Sequence, residues 1–123
     1  MKLKHHMSLT VERWGNFPFF RQILMIATEM NRAARWIKAG DFQEVKRCYE
    51  RVLELLYLTV ATLDDNSKLV ELMRFKEMLC MLYAKDECDF LGNSSLMKTL
   101  LLLDKESYAA LNPGEKARKI PEA

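Results

Sequence analysis

Three Arg–Glu pairs stand out in the chain, each at three-residue spacing inside a mostly apolar stretch: Glu29 with Arg32, Arg51 with Glu54, and Arg74 with Glu77. On a helix that spacing puts both side chains on one face. Met25, Ile26, Ala33 and Trp36 neighbour Glu29, and Leu53, Leu55, Tyr57 and Leu58 flank Glu54. Arg74 and Glu77 lie among Val70, Met73, Met78 and Met81. If the three faces converge, the protein holds an interior network of alternating charge. One role for it is structural, because paired charges satisfy each other and fix helix register. The other is binding: three carboxylates and three guanidiniums at one locus would hold a small zwitterionic or anionic ligand. These six residues are the candidate ligand-binding set, and no residue is assigned as catalytic. Glu54 is expected to be buried and paired with Arg51, Arg32 or Arg74.

Other chemistries lack their residues. His5 and His6 are the only histidines and precede any long helical pattern, so nucleophile–base catalysis and di-iron ExxH ligation have no histidine to use. No glycine-rich phosphate loop is present. Cys48, Cys80 and Cys88 form no CxxC or CxxH pair, and an odd count is not a disulfide framework. Arginines interleaved with the acids would repel a cation, so neither metal nor cofactor is expected. The net charge of +2 is too small to imply a nucleic-acid or anionic-membrane partner. The longest apolar stretch, residues 52–63, carries Glu54 and falls short of the roughly 20 residues that cross a bilayer. The N-terminus has no apolar signal-peptide core. With free cysteines in apolar patterns, a cytoplasmic setting is expected.

The elements that must position the six residues are helical. Gly and Pro are scarce, and half the chain is hydrophobic. A single turn fits residues 8–15. A first long helix runs from Pro18 to Ala39 with Gly40 as its stop, its apolar face carrying Phe20, Ile23, Ala27, Met30, Ala34 and Ile37. Asp41 caps a second helix over 42–63. Ser67 caps a third to Ala84, with Leu69, Leu72, Met73, Leu79 and Tyr83 facing in. Asn93 or Ser94 caps a shorter fourth through Asp104, and a further turn or two fits 105–114. The short links force antiparallel neighbours. The expected fold is all-α: an antiparallel up-down bundle of three long helices plus a shorter C-terminal helix. It occupies residues 16–112, after an arm at 1–15 and before a flexible tail at 113–123.

Ala33, Trp36, Gly40, Asp41, Phe42 and Tyr49 resemble one tetratricopeptide hairpin. The array reading is rejected. Glu29 and Arg32 replace that motif's Trp and Leu, and no second copy follows at the repeat distance, whereas about three units are needed to bury a core. Over residues 12–95 the chain also resembles a small prokaryotic family of all-helical proteins, through Glu29, Arg32, Ala33, Trp36, Gly40, Arg51, Glu54, Thr59, Arg74 and Glu77. That resemblance implies a helical fold and no mechanism. The hairpin followed by Leu63–Met73 resembles flagellar export chaperones in topology.

The expected function is a soluble, non-enzymatic bundle acting through a protein partner or as a homo-oligomer. Trp36, Tyr57 and the Met78–Met81 side of the third helix exceed what one such bundle hides. The alternative is a small-ligand bundle built on the Arg–Glu pairs.

Overall fold

Gly40 turns the chain. In the computed structural model, which describes residues 9–104, its backbone adopts φ 77° and ψ 14°. This left-handed conformation is open to glycine and costs other residues about 1–2 kcal/mol. The Gly40 N–H donates to the Ile37 carbonyl and the Asp41 N–H to the Trp36 carbonyl, which closes the preceding helix. Asp41 then caps the next helix by accepting the Glu44 N–H at 3.1 Å. This link makes α2 (Phe19–Ala39) and α3 (Phe42–Thr62) antiparallel neighbours.

The remaining helices are α1 (Val11–Gly15), α4 (Asn66–Ala84) and α5 (Phe90–Leu101), and no strand occurs among the described residues. The architecture is an all-α bundle. α2 packs on α3 and α5, and α4 packs on the same two, so the four helices close as a ring in chain order. α1 lies against α3. The turn expected at 105–114 and the tail at 113–123 fall outside the described residues.

Two caps differ from the sequence expectation. Asp65, not Ser67, starts α4 by accepting the Ser67 and Lys68 N–H groups. Asp89, not Asn93 or Ser94, starts α5 by accepting the Gly92 N–H at 2.8 Å. In both cases an aspartate slightly upstream takes the cap, which frees Asn93 to enter the interior.

The core joins Ile23, Ile26, Ala27, Met30 and Ala33 of α2 to Val45, Cys48, Val52, Leu55 and Leu56 of α3. Leu72, Phe75 and Leu79 of α4 and Leu96 and Leu100 of α5 complete it. The inner face of α4 is rotated from the expected one. Phe75 is buried and Met73 is exposed, because the larger aromatic ring takes the interior position. Trp14 belongs to this core, although the sequence pattern placed residues 1–15 in an arm. Its indole N–H donates to Thr59 Oγ1 at 2.8 Å, and Gln22 Nε2 donates to the Trp14 and Phe17 carbonyls. A large apolar ring whose donor finds a buried acceptor anchors α1 on α3.

Candidate functional site

The antiparallel hairpin brings Glu29 of α2 opposite Arg51 of α3. Arg51 Nε donates to Glu29 Oε1 at 3.0 Å, and Arg32 Nη1 donates to Glu29 Oε2 at 3.3 Å. Arg51 Nη2 also reaches Cys48 Sγ at 3.3 Å. Glu29 is only 8% exposed, and the side chains of Arg51 and Arg32 are 20% and 55% exposed. Burial works to lower the Arg51 pKa, but the hydrogen bond and charge of Glu29 outweigh it and leave the guanidinium above its ordinary range. Burial pushes the Cys48 thiol up, against the opposing pull of Arg51. The site therefore presents a fixed cation beside a protonated thiol.

Three of the six sequence candidates, Glu29, Arg32 and Arg51, thus come together. Arg74 and Glu77 do not join them. Arg74 pairs with Glu71 at 3.3 Å, with both side chains exposed, and Glu77 is exposed. The rotation of α4 that buries Phe75 carries both residues to the outer face. Glu54 is buried, as its apolar flanks imply. Among the described residues Arg32 and Arg51 bind Glu29, and Arg74 binds Glu71. Glu54 has an interaction of its own, but the hydrogen bonds that tie the cluster together run to Glu29 and Cys48. Instead of one interior network there is a Glu29-centred triad at the α2–α3 seam.

Over this triad opens a concavity of about 560 Å³, lined by Arg32, Arg35, Trp36 and Ala39 from α2 and by Glu44 and Arg51 from α3. Arg47 Nη1 is bonded to Glu44 Oε1. The sequence reading missed Arg35, Trp36, Ala39 and Glu44 as part of the site. For the α2 residues the signal was there in the spacing of Arg32, Arg35, Trp36 and Ala39, which form one stripe on a helix, whereas Glu44 enters only through the packing of α3 on α2.

A second hollow, about 510 Å³, lies between α3 and α4 and is mostly apolar. Leu53, Leu56, Tyr57, Val60 and Ala61 line one side, and Leu72, Met73, Lys76 and Cys80 the other. Val70, Met73, Met78 and Met81 of α4 are all exposed, Met81 at 68%.

A further polar network in the interior joins three helices. Tyr49 donates its hydroxyl to Asn93 Oδ1 at 2.7 Å, and Asn93 Nδ2 donates to the Met30 carbonyl at 3.1 Å. Both side chains are buried, so α2, α3 and α5 are tied at one point and their relative heights fixed. Among the described residues no His, Cys, Asp and Glu side chains gather as a metal-ligand set, and no helix is long and apolar enough to cross a membrane. Comparison with protein-family models, curated proteins and solved structures gives no match.

Proposed function

We propose that the protein acts by binding a second copy of itself through the α3–α4 face, and not by catalysis. The observation that carries this reading is α4 itself, a nineteen-residue helix that buries only Leu72, Phe75 and Leu79. Val70, Met73, Met78 and Met81 are left exposed on it, and Met73 also lines the apolar groove between α3 and α4. A groove and a ridge of like chemistry, side by side, are what a two-fold interface requires, because the ridge of each copy fills the groove of the other. Methionine suits such a ridge, being flexible enough to fit an irregular hollow. Fully burying one Val or Met side chain contributes about 1.5–3 kcal/mol, and these four are on average about half exposed, so each copy contributes about 3–6 kcal/mol and the pair together a gross term of the size of the roughly 4–15 kcal/mol that association costs. Lys76 in the groove, with Arg74, Glu71 and Glu77 around it, supplies charge of both signs for the rim. The three free cysteines fit a reducing, cytoplasmic setting.

Cys80 lines the groove and is exposed, whereas Cys48 is buried at the α2–α3 seam. The test is the rate of Cys80 alkylation as protein concentration rises. Protection of Cys80 at high concentration, abolished in Met73→Glu, is the expected result. A Cys80 rate independent of concentration would overturn the proposal.

A further inference from the structure

The α2–α3 concavity shares no lining residue with the α3–α4 groove. We infer that it binds a small aromatic phosphate of the mononucleotide class, with the phosphate held by Arg32, Arg35 and Arg51 and the planar ring stacked on Trp36. Three guanidiniums face one carboxylate in its lining, and that carboxylate, Glu44, is already bonded to Arg47. Arg35 has no ion pair among the described residues. With Glu29 beneath Arg32 and Arg51 included, Arg32, Arg35, Arg47 and Arg51 meet two carboxylates, so the hollow still carries surplus positive charge, in the residue type whose planar fork matches phosphate oxygens.

The cradle is also held in place. Glu29 fixes Arg51 through Nε and Cys48 contacts Nη2, while Nη1 makes no hydrogen bond to a described residue. An arginine held at two nitrogens by buried partners, with a third nitrogen making no such bond, loses little freedom when an anion arrives. Trp36 sits in the same lining, 37% exposed, four residues from Arg32 and thus one helical turn along. An exposed indole beside arginines offers a stacking face for a flat ring, and neither a bare inorganic anion nor an aliphatic acid would use it. About 560 Å³ lies within the span of small-molecule sites. A nucleic-acid strand fits less well, because Glu44 stands in the lining and the whole chain carries only +2.

The chain has two tryptophans. Trp14 is fully buried, so Trp36 is the one a ligand reaches. The experiment titrates the full chain with adenosine 5′-monophosphate, adenosine, inorganic phosphate and a single-stranded oligonucleotide, following tryptophan emission and heat of binding. The mononucleotide is expected to give saturable quenching, with adenosine and phosphate each about tenfold weaker or more. Arg35→Gln, at an exposed residue with no ion pair among the described residues to lose, should weaken it about tenfold while leaving the melting curve unchanged. Trp36→Phe should remove the optical signal and weaken the heat-detected binding. No saturable response to the mononucleotide up to about 10 mM, an unaltered affinity in Arg35→Gln, or tighter binding of the oligonucleotide would each overturn the inference.

Discussion

Replacing Glu29 with alanine tests whether the triad at the α2–α3 seam is an interior feature. Removing one partner of a fully buried ion pair costs about 3–5 kcal/mol, and removing a surface one at most about 1 kcal/mol. Glu29 belongs near the first case by its own exposure of 8%. Its partners reduce the effect, because Arg51 is one-fifth exposed and Arg32 more than half exposed, so water compensates part of each charge. Discounting for that screening gives about 2 kcal/mol for Glu29→Ala. Glu29→Gln, which keeps the shape and one acceptor, should cost about half as much. At a urea slope of about 1.5 kcal/mol per molar, the alanine variant should unfold roughly 1 M earlier than the parent. A double-mutant cycle with Arg51→Met should return a coupling of about 1–2 kcal/mol. A parent-like midpoint together with a coupling within about 0.3 kcal/mol of zero would show that Glu29 and Arg51 are solvated surface charges.

The buried amide network gives a second prediction. Asn93→Ala leaves the Tyr49 hydroxyl without its acceptor in the interior; it should cost about 1–3 kcal/mol and lower the melting temperature measurably, and an unchanged melt would contradict the network. Gly40→Ala should cost about 1 kcal/mol in denaturant titration. An added Cβ there meets nothing within 4 Å, so the cost comes only from the left-handed backbone. Alkaline pH gives a further check. Burial raises the Tyr49 pKa, and the hydrogen bond to the Glu50 carboxylate raises that of Tyr83. Because both folded values exceed the unfolded value of about 10, the folded chain keeps protons that the unfolded chain releases. The resulting stability is complete below about pH 10 and declines as pH rises beyond it, and Tyr49→Phe should make the decline in urea midpoint shallower.

Much of the bundle could be read from local signals. Gly40 and Asp41 name their own turn, since a left-handed stop followed by a side-chain cap is chemistry within a few residues. The apolar periodicity of α2 placed Ile23, Ala27 and Met30 inside but offered Phe20, Ala34 and Ile37, which are only half-buried, while Ile26 and Ala33 take the interior. α4 was harder, because it is apolar on nearly every side. Periodicity alone did not say that Phe75 would displace Met73 from the interior, and that rotation decided the fate of Arg74 and Glu77. Asn93 was misread as a cap because its value lies in contacts to Tyr49 and Met30, which are far away in sequence. Trp14 likewise depends on Thr59 across the bundle. In the candidate site, the Glu29–Arg32 spacing was visible, whereas the Arg51 bond to Glu29 exists only because the hairpin sets the two helices in register.

Association through α4 is tested most directly by sedimentation equilibrium over a concentration range reaching about 100 μM. The mass is expected to rise toward twice the 14.4 kDa of the single chain, and to return to the single-chain mass in a Met73→Glu, Met81→Glu variant that still melts cooperatively. A parent protein that stays at 14.4 kDa across the whole range would contradict it.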